Sequence, residues 1–237
     1  MVFTRILVCF SVCFFTLNSF GQDALKLSDK VKKNSIIFSP FNLIDPINPS
    51  FQVGYQRLLY DKIELQMEYG HIINKALFYY IINPDEGKEE YSNKGFKVRF
   101  ETKRFFRNEG FFRYYLSGEL FYLQNVSKVQ NQFLVSDPDY NYSFDLPNDG
   151  EQYGYTDYFT NSKTKYGFNV KFGIKLVIDP LFFEACNGIG IAYRNNIHSD
   201  RENMNDEPYD TSFLNDNIPK KMYILNLPLN FRIGYMF

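Results

Sequence analysis

A strict alternation over the last residues of the chain, LNLPLNFRIGYMF at 225–237, constrains its fold more than any other feature. Every second residue there is apolar: Leu225, Leu227, Leu229, Phe231, Ile233, Tyr235 and Phe237. Successive side chains of a β-strand point to opposite faces, so a period of two is the signature of a strand with two different environments. The pattern predicts a two-faced strand that runs to the last residue.

The same alternation recurs upstream and predicts an all-β chain. The predicted strands are 34–44, 50–59, 62–72, 94–106, 111–124, 164–178, 181–194 and 222–237. Their lengths match or exceed the roughly 9–11 residues of a tilted transmembrane strand. The composition agrees, because the chain holds 26 Phe and 19 Tyr and aromatic side chains fit a pleated, half-buried surface.

The connections between these strands alternate in length. The second, fourth and sixth are tight, at 60–61, 107–110 and 179–180, whereas the third, fifth and seventh are long, at 73–93, 125–163 and 195–221. Short turns at one end and long loops at the other are typical of outer-membrane barrels. We therefore predict an eight-stranded antiparallel up-and-down transmembrane β-barrel. Its strand number is even, so both termini lie on the short-turn, periplasmic side.

One face of each predicted strand carries the charged side chains. We predict that this face lines the lumen as a network of opposite charges: Glu64, Glu68, Lys97, Arg99, Glu101, Lys103, Arg113, Glu119, Lys171, Lys175, Glu184, Arg194 and Arg232. An eight-stranded barrel is just wide enough for its own side chains to fill, and opposite charges compensate one another there. We expect a closed, salt-bridged interior rather than a pathway for large solutes.

A soluble, secreted lipocalin-like barrel is the main alternative, because it would turn the same apolar face inward around a ligand. Three features favour the membrane: the alternating loop lengths, the apolar row that reaches Phe237, and the glycines, which we assign to the charged face. These glycines are Gly54, Gly70, Gly95, Gly118, Gly167, Gly173, Gly188, Gly190 and Gly234. Inward glycines would make room for long Lys and Arg side chains.

The N-terminus has the form of a secretory signal peptide. Arg5 precedes an apolar run from Ile6 to Leu17, and small residues precede Gln22. We predict a signal peptide at 1–21, a short periplasmic leader at 22–33 and the barrel domain at 34–237. Cys9 and Cys13 would leave with the signal. Cys186 would then be the single cysteine of the mature chain, which excludes an internal disulfide and a cysteine-based metal site.

The remaining composition argues against other classes of function. Lys and Arg number 26 against 27 Asp and Glu, so there is no basic excess of the kind that nucleic-acid binding requires. We predict no cofactor. The tyrosines of the acidic stretch 136–159, namely Tyr140, Tyr142, Tyr153, Tyr155 and Tyr158, make it a candidate contact surface for an extracellular ligand.

Only two histidines are available for acid–base chemistry. We place His71 in an interfacial belt and His198 in an outer loop, and predict a protein without enzymatic activity. The alternative is a lipid-modifying barrel enzyme. Pro40 and Pro228 each remove a ladder donor from the first and last strands, which predicts a weak seam where the barrel closes.

The chain resembles the small OmpA/OmpX-like outer-membrane β-barrel proteins of Gram-negative bacteria, including proteins described only as an outer-membrane β-barrel domain. The likeness lies in the ending FRIGYMF. In that family such an ending is similar to the signal read by the barrel-assembly machinery, here Leu229, Phe231, Ile233, Tyr235 and Phe237. The resemblance implies a protein surrounded by outer-membrane lipid and lipopolysaccharide. The chain departs from the family in having no Trp and no peptidoglycan-binding domain after the barrel.

Overall fold

The computed structural model describes residues 32–44, 49–60, 62–73, 93–107, 111–134, 144–145, 153–206 and 219–237. The predicted signal peptide and most of the leader lie outside these residues. The strands are β1 (Asn34–Phe38), β2 (Ser50–Tyr60), β3 (Ile63–Ile72), β4 (Asn93–Arg107), β5 (Phe112–Leu134), β6 (Phe144–Asp145), β7 (Tyr153–Ile178), β8 (Leu181–Ser199), β9 (Lys221–Asn226) and β10 (Leu229–Met236). A short 3-10 helix, η1 (Pro40–Ile44), follows β1. Within the described ranges no helix is long and apolar enough to cross a bilayer.

The strands close into an antiparallel barrel. Neighbouring strands pair in the order β1, β2, β3, β4, β5, β7 and β8. β8 also pairs with β9 and with β10, and β10 pairs with β1, which closes the barrel. β9 and β10 share one register against β8, since Asn226 lies opposite Gly190 and Leu229 opposite Asn187. They are two parts of one interrupted strand, so the barrel has eight strands and the predicted fold is confirmed.

Pro228 causes the interruption, but its effect differs from the prediction. The Gly188 amide donates to the Pro228 carbonyl over 3.0 Å, and proline has no N–H with which to donate back. The missing bond therefore belongs to the ladder with β8 and not to the closing seam with β1. The seam is short for another reason: β1 ends at Phe38, and Pro40 opens η1. The predicted strand 34–44 is wrong beyond Phe38.

Three strands run far past the predicted ends. β5, β7 and β8 hold 23, 26 and 19 residues, about twice the length that crosses a bilayer. Residues 125–134 pair with 154–163 as a continuous ladder, so much of the predicted outer loop 125–163 is sheet. The interior of the predicted loop 73–93 lies outside the described residues.

The two faces of the barrel wall are oriented as predicted for a membrane barrel. Apolar side chains such as Phe168, Val170 and Phe172 point outward, and the charged rows of the same strands point inward and are buried. On β1, Ile36 points outward and Ile37 points inward. A soluble lipocalin-like barrel requires the opposite orientation.

The predicted assignment of Gly118 to the charged, inward face is wrong. Gly118 has the parity of the outward residues of β5, and a Cβ built there would meet the ring of the lipid-facing Phe168 at 3.4 Å. The parity of β5 reverses relative to β2 and β3, with odd-numbered residues inward. Inward glycines also make room for rings and not only for Lys and Arg: Tyr115 covers Gly173, and Phe182 covers Gly234.

Candidate functional site: a charged lumen below an outer sheet extension

Arg232 is the centre of the lumen. Its Nε lies 2.6 Å from Glu68 Oε1, and its Nη2 lies 2.7 Å from Glu101 Oε2. Its Nη1 lies 2.5 Å from Glu184 Oε1. The side chain is fully buried, so these contacts are made away from water, where a guanidinium fork binds carboxylates well. One arginine of the last strand thus connects carboxylates of β3, β4 and β8.

Lys171 of β7 joins two more carboxylates to this centre. Its Nζ lies 2.6 Å from Glu101 Oε2 and 2.6 Å from Glu119 Oε2. The other oxygens of these acids accept bonds from neutral groups, the Ser117 hydroxyl at 2.6 Å and the Asn169 amide at 2.8 Å. Both carboxylates are therefore held from two sides, as buried charges must be.

A pair of lysines, Lys103 and Lys175, occupies the short-turn half of the lumen. Lys103 Nζ lies 3.1 Å from Glu64 Oε1 and 2.5 Å from Glu184 Oε2. Lys175 Nζ lies 2.7 Å from Glu64 Oε2 and donates to Gln56 Oε1 over 3.0 Å. Glu64 and Glu68 thus serve different cations, as their spacing on β3 requires.

We call these connected groups the lumen network. Its bases are Arg99, Lys103, Lys171, Lys175 and Arg232, and its acids are Glu64, Glu68, Glu101, Glu119 and Glu184. The two sets are equal in number, so the network as a whole is neutral. Neutrality is what allows so many charges to be buried, because an uncompensated buried charge is costly.

The other predicted lumen residues also lie on the inward face. Lys97 and Arg113 are half-buried, at opposite ends of the barrel. Arg194 is buried near the long-loop end, with its Nη2 3.2 Å from Met222 Sδ.

Sequence reasoning missed the amides and rings that complete the lumen. Gln56 donates to Gln66 over 2.6 Å, and Asn230 accepts from Arg99 over 2.5 Å. At the short-turn end Phe182 lies under Lys175, whose Nζ is 3.9 Å from the ring centroid, a cation–π contact. These residues share the inward parity of the charged row, but they carry no charge, so the charge pattern of the sequence does not reveal them.

Aromatic residues form a row on the outside of the barrel toward the long-loop end. The row comprises Tyr69, Phe96, Tyr122, Tyr166, Tyr193 and Tyr223. Neighbouring rings lie close, for example 5.2 Å between the centroids of Tyr166 and Tyr193 and 5.3 Å between those of Tyr193 and Tyr223. Such rings are enriched where a membrane meets water. Tyr and Phe alone supply this row.

Beyond the row, β5, β7 and β8 continue as a sheet with its own apolar cluster; we call this part the outer extension. Phe133, Tyr155 and Phe159 are buried together on its inner face, with ring centroids 5.9 Å apart for Phe133 and Tyr155. The segment 200–206 folds over this face: the Arg201 guanidinium lies 4.0 Å from the Phe133 ring centroid.

The outer extension corrects two predictions. His198 lies in β8 and not in a loop; it is buried, with its ring centroid 4.2 Å from that of Phe159. Tyr155 is buried in the cluster and is no contact surface, whereas Tyr158 is 67% exposed on the opposite face. Burial and the neighbouring Asp206 raise the pKa of Tyr155, so its phenol stays neutral. Tyr140 and Tyr142 lie outside the described residues, as does the side chain of Tyr153.

His71 and the C-terminal residues lie on the outer wall. His71 is exposed on β3, opposite Phe51 of β2. It therefore lies on a different strand and a different face from the buried His198. Leu229, Phe231, Ile233, Tyr235 and Phe237 all have outward parity, and Tyr235 pairs with Leu181 of β8. Their predicted role in assembly stays a prediction.

Comparisons with known proteins find a likeness among solved structures and none among protein families or curated proteins. A scan against protein-family models finds no match, and a search of curated proteins finds none either. Among solved structures, the chain is similar to a major outer membrane protein from Thermus thermophilus, at 11% identity and a TM-score of 0.40, covering 86% of this chain and 98% of that chain. The barrel assignment rests on the strand pairing and not on this likeness.

Proposed function

We propose that the chain is an integral outer-membrane barrel protein without enzymatic activity, which holds the outer extension at the cell surface as a contact surface for an external partner. The observation that carries the membrane location is the orientation of the wall. Charged side chains are buried inside, and large apolar side chains such as Phe172, Leu116 and Ile189 are about half exposed on the outside. A continuous apolar exterior of this kind is stable in lipid and not in water.

The lumen supports a structural role rather than transport. Arg232, Lys103 and Lys171 are fully buried, as are Tyr115 and Phe182. These side chains fill the middle and the short-turn half of the barrel, as expected for eight strands. The two histidines are on opposite faces, which gives no acid–base pair.

The outer extension is the part best suited to contact a partner. Its inner face is closed by its own aromatic cluster, so its opposite face is the one open to a partner. Thr156, Tyr158 and Thr160 of β7 lie on that face. Hydroxyl groups and a tyrosine ring give contact area and hydrogen bonds at low entropic cost.

Cysteine labelling tests the location and the orientation together. Cys186 is buried, so it provides a silent background. Tyr158→Cys should react with a membrane-impermeant maleimide on intact cells, whereas Lys62→Cys, in the exposed turn between β2 and β3, should react only after the outer membrane is permeabilised. Labelling of Lys62→Cys alone on intact cells would reverse the proposed orientation, and recovery of a soluble periplasmic monomer would refute the membrane location.

The absence of enzymatic activity has its own test. Lipid A from cells that express the protein should have the same mass spectrum as lipid A from cells that do not. A mass change that disappears with His71→Ala or His198→Ala would support the lipid-modifying alternative instead.

A further inference from the structure

Beyond the aromatic row, the outside of the wall is positively charged. Among the outward side chains of β3, β4, β5, β7, β8 and β9 in this region, those with a full charge are three exposed lysines: Lys94, Lys128 and Lys221. The chain as a whole is nearly neutral, with 26 Lys and Arg against 27 Asp and Glu, so the positive sign belongs to this face. Cations just outside a membrane attract anionic lipid headgroups.

Two of these lysines are neighbours on adjacent strands. Lys94 of β4 lies directly opposite Val126 of β5, and Lys128 is the next outward residue of β5. Diagonal neighbours of this kind are roughly 7–8 Å apart. Lys221 is farther away, because it lies opposite Asn195 on the other side of β7 and β8. Like charges at the spacing of Lys94 and Lys128 repel one another, and bound anionic groups would relieve that repulsion.

The two lysines lie at different distances from the membrane. Lys94 is the first outward residue of β4 beyond Phe96 of the aromatic row. Lys128 lies two residues farther out than the position opposite Lys94, which is roughly 7 Å along the strand. A phospholipid carries its phosphate at one depth, whereas a lipopolysaccharide carries phosphates on lipid A and acidic sugars beyond them. Two cations at two depths therefore match a lipopolysaccharide better than a phospholipid.

The side chains around the two lysines suit sugar hydroxyls. Gln124 is exposed between Lys94 and the aromatic row, and Ser162 lies opposite Val126 on β7. Thr160 lies opposite Lys128, and its hydroxyl donates to Asp200 Oδ2 over 3.1 Å. Asp200 directly follows the end of β8, so this acid marks the outer limit of the positive patch. Amide and hydroxyl groups beside the lysines can both donate and accept hydrogen bonds.

On the membrane side of the lysines the wall is aromatic and then aliphatic. The Phe96 ring centroid lies 6.5 Å from that of Tyr69 and 5.8 Å from that of Tyr122, so three rings stand side by side. The next outward residues of β4 are Val98 and Phe100. Rings at this level fit the boundary between headgroups and acyl chains, which places the lysines at the level of the headgroups.

We infer that this face of β4 and β5 binds one lipopolysaccharide molecule of the outer leaflet. Lys94 contacts a phosphate of lipid A, Lys128 contacts an acidic sugar of the inner core, and an acyl chain lies on the wall along Phe96, Val98 and Phe100. The site lies on the outside of the wall and needs no cavity. This inference rests on the proposed membrane location and orientation.

Fluorescence titration tests the site, because the chain has no Trp and a single introduced Trp reports without background. Phe96→Trp, folded in zwitterionic detergent micelles, should respond saturably to bisphosphorylated lipid A that carries its inner-core acidic sugars. In this background Lys94→Gln and Lys128→Gln should each raise the half-saturation concentration about fivefold, which corresponds to about 1 kcal/mol. Arg104→Gln is the matched control, because Arg104 is exposed on the same face of β4 at the short-turn end, and should leave the concentration unchanged.

Two other lipids separate the outcomes. With dephosphorylated glycolipid, Lys94→Gln should have no further effect, whereas Lys128→Gln should still weaken binding. Phosphatidylglycerol should not saturate the response; saturation at the same concentration as the glycolipid would mean a general anionic surface and would overturn the inference. An equal effect of Arg104→Gln, or no response in a protein that still migrates as a folded, heat-modifiable barrel, would also overturn it. None of these results alters the cysteine labelling on cells, so the proposed function would stand or fall separately.

Discussion

Replacement of Arg232 by Met should destabilise the barrel more than any other single change of charge in the wall. The guanidinium contacts Glu68, Glu101 and Glu184 at 2.5–2.7 Å and is fully buried. Met fills similar volume without charge, so the lumen network would keep five acids against four bases. Breaking a buried ion pair by removing one partner costs about 3–5 kcal/mol, and Arg232 takes part in several.

The assay is urea-induced unfolding in phospholipid vesicles, followed by heat-modifiable migration on gels and by far-ultraviolet circular dichroism. Arg232→Met should lower the free energy of unfolding by at least about 3 kcal/mol. Arg104→Met is the matched control, because Arg104 lies on the outward face of β4 and is exposed. An outward cation near the membrane interface contributes only about 0–1 kcal/mol.

A double variant isolates the electrostatic part of the loss. Glu68 has its ion pairs with Arg232, at 2.6 Å, and with Arg99, at 3.7 Å, so Glu68→Gln removes the acid that Arg232→Met exposes most directly. The two changes together should cost at least about 1 kcal/mol less than the sum of the single changes. An Arg232→Met loss no larger than that of Arg104→Met, or strict additivity in the double variant, would refute the network account.

Four further substitutions test other features of the structure. Pro228→Val should restore a donor toward Gly188 and raise the free energy of unfolding in urea by about 0.5–1.5 kcal/mol, and Pro40→Val should raise it by less. An unchanged or lower free energy of unfolding for Pro228→Val would contradict the assignment of the missing bond. Phe133→Ala should open the outer extension to limited proteolysis, at a local cost of about 3–5 kcal/mol, while the barrel stays heat-modifiable; loss of both together would mean that extension and barrel unfold as one unit. Asn187→Leu replaces an exposed outward amide that pairs with Phe172 and Leu229 and should stabilise the protein in vesicles, but not in urea without lipid.

The barrel could be predicted because membrane strands carry their environment in their sequence. Alternate residues such as Ile63 and Glu64 face lipid and lumen, and the alternating loop lengths favour this arrangement over a soluble barrel with the same alternation. The turn positions could be predicted for the same reason, since the alternation of apolar and polar residues stops at Tyr60 and again at Asp179. These signals lie within single strands and do not depend on the register in which the strands pair.

The outer extension could not be predicted in the same way. Past Tyr122 the outward residues of β5 become polar, with Gln124, Lys128 and Gln130, because they leave the membrane. A polar outward row next to a mixed inward row looks like a surface loop. Only the inward residues Val129 and Phe133 hinted that the sheet continues.

The register-dependent features were also beyond the sequence. Whether Pro228 interrupts the bonds to β8 or to β1 depends on which residues form the bonded pairs, and this is set by the closure of the whole barrel. The same closure decides that Arg232 meets acids of β3 and β4, more than 130 residues away along the chain for Glu101.

The distribution of the lumen charges along the chain has a consequence for assembly. β3, β4 and β5 contribute four of the network acids and two of its bases, whereas β7, β8 and β10 contribute one acid and three bases. Within the lumen network, the earlier strands therefore contribute a net negative charge and the later strands a net positive one, and the network is neutral only when β10 supplies Arg232. A chain released before its last strand would leave this network with five acids and four bases, so the network distinguishes a finished barrel from a truncated one.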